Sequence, residues 1–113
     1  MKIKCECGML IHDTGCESPH VGAVISSADV AFLLDRLDEC VENAEPTPAA
    51  RERACMNLRA LWSRVSRKVY QCPRCSRLFI DDEQRELRTF IPERFGTPCD
   101  LLRPKNSEPW QAY

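Results

Sequence analysis

The chain has 113 residues, of which 43% are hydrophobic and 29% charged, with eight cysteines and a formal net charge of −1. That is the size of one small domain, with room for a modest core that gains from a metal or disulfide staple. No apolar run approaches the roughly 20 residues that span a membrane, and the opening MKIKCECG lacks the apolar stretch of a secretory signal. The expectation is a cytosolic protein with reduced thiols, in which closely paired cysteines read as metal ligands and not as a disulfide framework.

The charge is unevenly spread. Residues 1–50 carry −6, residues 51–80 carry +7 and residues 81–113 carry −2. The overall balance gives no reason to expect nucleic-acid binding, although the basic middle block raises the question.

In chain order, residues 2–12 read as a β-hairpin, with Lys2-Ile3-Lys4 leading in, Cys5-Glu6-Cys7-Gly8 turning and Met9-Leu10-Ile11 returning. A loop rich in turn formers follows. Val21–Ile25 is a third strand, weakened by Gly22. Ser26 starts a helix, with Asp29 three residues on, that runs to about Ala44. Its apolar face is Val30, Leu33, Leu34, Leu37, Val41 and Ala44. Thr47 caps a second helix with Pro48 at its first position, running to about Val65 with Ala54, Leu58, Leu61, Trp62 and Val65 inward. The two form an antiparallel helical hairpin. From Lys68 the pattern returns to β: Val69-Tyr70-Gln71 enters the turn Cys72-Pro73-Arg74-Cys75, and Leu78-Phe79-Ile80 leaves it. Leu87–Ile91 is a last strand, stopped by Pro92. The predicted class is α+β: a zinc ribbon of two β-hairpins over 1–95, a helical hairpin inserted at about 26–66, and an irregular tail over 96–113.

Four cysteines fall into two close pairs, each between β-like segments. Four thiolates suit tetrahedral zinc, and two tight turns offering two sulfurs each build such a site, so Cys5, Cys7, Cys72 and Cys75 are assigned as ligands of one structural Zn2+. The alternatives are that one pair is merely buried, or that CPRC is a redox motif; the latter prefers a strand-to-helix junction. The same ligands can hold iron, as in rubredoxin-like electron carriers, although CxC departs from that pattern. A closed four-sulfur site leaves no position for substrate, so the metal is expected to stabilise and not to catalyse. His12, His20 and Cys16 are secondary ligand candidates. Cys40 and Cys55 read as small buried side chains of the helical interface, and Cys99 is without assignment. No nucleophile–base grouping or phosphate loop is present, and no enzymatic activity is expected.

On the first helix, Asp35, Asp38, Glu39 and Glu42 form an acidic stripe opposite the apolar face, with Phe32 at its border and no basic residue within it. It reads either as a solvated face or as a docking surface for a basic protein. On the basic side, Arg64, Arg67, Lys68, Arg74 and Arg77 offer the alternative of a nucleic-acid-binding ribbon. Some of these arginines could instead pair with the acidic helix across the hairpin.

CECG with Ile11 and Asp13, a helical pair, then QCPRCSRLFIDD and a late FIPE resemble small bacterial zinc-ribbon proteins with a helical insertion, some of which are similar to immunity proteins of contact-dependent or other polymorphic toxin systems. The resemblance covers about residues 1–95. It implies metal ligands at Cys5, Cys7, Cys72 and Cys75 and, as function, stoichiometric neutralisation of a cognate toxin. A basic toxin would then meet the acidic stripe as a mimic of phosphate. Ser76 departs from the pattern, in which glycine often follows the second knuckle.

Overall fold

A computed structural model describes residues 2–12, 18–84 and 86–105. The elements run β1 (Lys2–Lys4), β2 (Leu10–His12), β3 (Val21–Val24), α1 (Ser27–Asn43), α2 (Pro48–Val65), β4 (Arg67–Gln71), β5 (Leu78–Asp81) and β6 (Leu87–Phe90). The chain divides into two compact units: Met1–Ala23 with Lys68–Tyr113, and Val24–Arg67.

The first unit is the ribbon. β1 and β2 pair antiparallel with Ile3 opposite Ile11, and in both strands only this middle residue is buried. The period of two sends it inward and its neighbours outward. A second sheet has the order β3-β4-β5-β6. Tyr70 faces Phe79 across β4–β5, and Phe79 faces Thr89 across β5–β6. The expected second hairpin is therefore the middle of a four-stranded sheet, with β3 and β6 as its outer strands. Gly22 has a reason to lack a side chain: a Cβ there would lie 3.1 Å from Leu102 Cδ2, so the glycine lets the late segment lie on β3. Ile3, Cys5, Ile11, Tyr70, Cys72 and Phe79 form one buried cluster, so both sheets share a core that already contains two of the paired cysteines.

Residues 97–103 have no strand or helix, yet they are tied to the sheet. Gln71, fully buried, donates through Nε2 to the Pro98 carbonyl at 3.0 Å and accepts from the Leu101 N–H at 2.8 Å. A buried amide needs such partners, and this segment supplies them.

The second unit is the helical hairpin. Ser26 Oγ accepts from the Asp29 N–H, and Thr47 Oγ1 accepts from the Ala50 N–H, with Pro48 opening α2. These caps start each helix where the sequence reading places it. Neither helix contains a buried residue. Cys40 is half-buried, but Cys55 is exposed, which corrects the reading of both as interface residues. At 100° per residue Cys55 stands a quarter-turn away from Ala54, on the flank of the contact face.

Candidate metal centre

Each cysteine pair sits on a turn that its backbone closes. In the first, the Gly8 N–H donates to the Cys5 carbonyl and the Cys5 N–H to the Met9 carbonyl, both at 2.9 Å. Gly8 has φ +94°, which favours a residue without Cβ. In the second, the Ser76 N–H donates to the Cys72 carbonyl at 3.1 Å and the Cys72 N–H to the Arg77 carbonyl at 2.9 Å. Ser76 takes φ +66°, so the position where glycine is common does adopt the left-handed conformation, and serine accepts it here. Its buried hydroxyl donates to the Thr97 carbonyl at 2.7 Å and lies 2.8 Å from Cys99 Sγ. Cys99 thus acquires a place, holding the late segment against the second turn.

The two turns bring the four sulfurs together. Cys5 Sγ is 3.4 Å from Cys75 Sγ, and Cys7 Sγ is 3.5 Å from Cys72 Sγ. All four lie within 4.8 Å of one another, a set that could hold a metal ion. These separations are far beyond a disulfide bond of about 2.05 Å, and all four residues are free thiols. A tetrahedron with metal–sulfur bonds near 2.3 Å has edges of about 3.8 Å, which the observed spacings bracket. The donor set fits a thiophilic cation.

The electrostatics of the cluster are divided. Burial pushes the Cys72 thiol up to about 12, against backbone N–H groups of Cys75 and Arg74 and with the thiols of Cys7 and Cys75 adding to the rise. At Cys75 burial acts upward too, but the Arg77 N–H and the thiols of Cys5, Cys72 and Cys7 outweigh it and bring the group down to about 6. One sulfur takes the charge readily while another resists it, since adjacent thiolates repel. A bound cation removes that conflict.

Two arginines turn toward this centre. Arg77 donates from Nη1 to Cys75 Sγ at 3.4 Å and reaches Cys5 Sγ at 3.9 Å, and those bonds hold its own ionisation up. Its Nε is buried with no hydrogen-bond partner. Arg74 Nη1 lies 3.4 Å from the Cys7 carbonyl. Both belong to the set read as a phosphate-binding surface, and both are directed at the cysteine turns instead. Charge runs in a sequence carry no direction, and nothing before the fold could have shown it.

The other candidates lie elsewhere. His20 Nδ1 is 3.1 Å from the Cys99 carbonyl, and His12 pairs with Lys2 across β1–β2. Cys16 and Asp13 lie outside the described residues. On α1, Asp35, Asp38 and Glu42 are exposed and Phe32 is 44% exposed. Arg36 corrects the picture of a stripe without basic neighbours: it meets Glu39 Oε2 at 3.0 Å and stands 5.2 Å from the centre of the Phe32 ring. That ion pair lies within α1, not across to α2.

The sequence model of the family described as Domain of unknown function (DUF8617) matches residues 1–94, a span that includes both cysteine turns and the helical hairpin. The chain belongs to this family. No curated protein and no solved structure matches it. The matched span takes in all of β1–β6 and both helices. Among the described residues no helix is long and apolar enough to cross a membrane.

Proposed function

We propose that the chain is a non-catalytic zinc protein that binds a basic protein through the outer face of α1. Four sulfurs at tetrahedral spacing support a closed site, and zinc suits it better than iron because one turn is CxC and not CxxC. Zinc in such a site supplies folding energy and no chemistry on a substrate. A zinc with four thiolates carries a net −2, and the Arg77 guanidinium against two of the sulfurs offsets part of it.

The observation that carries the binding role is the acid of α1: Asp35 and Glu42 are exposed beside an exposed Phe32, and among the described residues neither forms an ion pair to α2. Like charges concentrated on one helix cost stability, slightly, and steer a cationic partner. A phosphate-binding protein is the chemistry that fits. A nuclease toxin, neutralised as the immunity-protein resemblance implies, belongs to that class.

The test is capture from the native host with its genomic neighbours intact, with and without nuclease treatment, read by native mass spectrometry. Expected is a nuclease-resistant one-to-one complex with a basic protein, plus one zinc, lost in the double variant Asp35→Lys, Glu42→Lys. Bound nucleic acid removed by nuclease, with no protein partner, would overturn the reading.

A further inference from the structure

The helical hairpin presents two unlike grooves. On one side Arg36, Asn43, Arg53 and Asn57, with Cys40 and Ala54, line a cleft of mixed polarity. On the other, Leu33, Leu34, Leu37, Leu58 and Trp62 line an apolar cleft of about 490 Å³. Leu34 is 52% exposed, Leu37 41%, Trp62 45%, and Val41, on the same side of α1, 74%. In the ribbon, by contrast, Ile3, Ile11, Tyr70 and Phe79 pack into a core, although Leu10 and Phe90 stay exposed. Two helices of 17 and 18 residues that bury nothing fully are an incomplete structure.

The charges at the rims of this cleft select what completes it. α1 carries five acids and one arginine, α2 four arginines and one glutamate. On the helical wheel Asp38 stands about 40° from Leu34, which corrects its reading as opposite the apolar face and places it at the α1 rim, and Arg59 flanks Trp62 at the α2 rim. Laying α1 on α1 would set acid against acid. Turning a second copy about the bundle axis lays each α1, antiparallel, on the other copy's α2. That arrangement sets Leu34 against Trp62 and the Asp38 rim against the Arg59 rim, twice, as a two-fold interface requires. The patch suffices in size: two helices about 26 Å long, side by side and each about 10 Å across, offer a face of about 500 Å² per copy, or about 1,000 Å² for the pair, the lower bound of a specific interface.

We propose that the apolar face of the hairpin is a dimerisation surface occupied by a second copy of this chain, forming a four-helix bundle with α1 on α2 of the other copy. The outer acids Asp35, Glu39 and Glu42 and the ring of Phe32 stay outside the bundle, so the dimer stands independently of the partner-binding role.

The test is sedimentation equilibrium of the full, metal-loaded chain in reductant, which excludes disulfide-linked pairs. Expected is a monomer–dimer equilibrium that Leu34→Asp with Val41→Asp shifts to monomer. A pair of surface changes guards against misfolding as the cause. Asp38→Arg alone and Arg59→Asp alone should each weaken the dimer by roughly tenfold, and the two together should restore it. A chain monomeric at all concentrations overturns the proposal, even if another protein binds the face. So does a dimer indifferent to Leu34 and Val41, or one that the double charge swap does not restore.

Discussion

Arg77 Nη1 stands 3.4 Å from Cys75 Sγ and 3.9 Å from Cys5 Sγ, one cation shared by sulfurs from both turns. With Arg74, which reaches the Cys7 carbonyl, it ties the two cysteine turns together apart from any bound ion. Replacing Arg77 by Leu removes charge compensation from the sulfurs while keeping an apolar side chain at this half-buried position. Metal affinity should fall about 10- to 100-fold, as for other outer-shell partners, with Arg77→Lys intermediate. Competition with a chromophoric chelator measures it, and unchanged affinity would show that the guanidinium is a bystander.

Cys72 and Cys99 offer a paired comparison. Cys72 is fully buried within the four-sulfur set, whereas Cys99 touches Ser76 and the Arg74 carbonyl outside it. Cys72→Ser should abolish stoichiometric metal and sharply lower the melting temperature, because metal binding is part of the folding energy. Cys99→Ser should keep the metal. Elemental analysis with thermal unfolding reads both, and equal metal content in the two variants would contradict the assignment of ligands.

Ser76 has the left-handed φ of +66° and a hydroxyl bond to Thr97. Ser76→Ala keeps the backbone strain and loses the bond; Ser76→Gly loses the bond but relieves the strain. Alanine should therefore be the less stable of the two by about 1 kcal/mol in denaturant unfolding of the metal-loaded protein.

Gln71→Leu leaves the Leu101 N–H without its acceptor and the Pro98 carbonyl without its donor. The expected cost is about 1–3 kcal/mol. The more specific sign is faster cleavage of the segment around residues 97–103 in limited proteolysis, with metal retained.

Asp82 is held below the ordinary carboxylate range by the backbone N–H of Gln84, then that of Glu86 and the Arg88 side chain. A depressed carboxyl stabilises the fold above its unfolded value, 3.8, and that contribution is lost as pH falls through the lower folded value. The β5–β6 turn should thus be fully ordered from neutral pH down to about 4 and loosen below it, seen as faster amide exchange at Glu86. Asp82→Asn should remove that acid dependence.

Much of this architecture is legible in the residues. Caps at Ser26 and Thr47, the alternation of Ile3 and Ile11, and the cysteine spacings each express a local rule, and each holds in the fold. What was not legible depends on long-range geometry. Proline-rich stretches carry no period, so nothing pointed to Gln71 as the anchor of residues 97–103. A run of arginines gives charge without direction, so Arg74 and Arg77 read as outward-facing. The apolar faces of the helices implied burial, but an apolar period says only that a face seeks a partner. Here the face of Leu34 and Val41 finds none within the hairpin.

The two cysteine turns close a circuit. Cys7 and Cys72, 3.5 Å apart at their sulfurs, bracket the whole helical hairpin in sequence. A tie of this kind makes the intervening chain a loop whose ends are fixed, and the entropy of closing a loop grows only as the logarithm of its length, about 0.6 kcal/mol per doubling. The ribbon can therefore carry a longer, shorter or wholly different insert at little cost to its own stability. Recognition can diversify in the insert while the clasp that secures it stays the same.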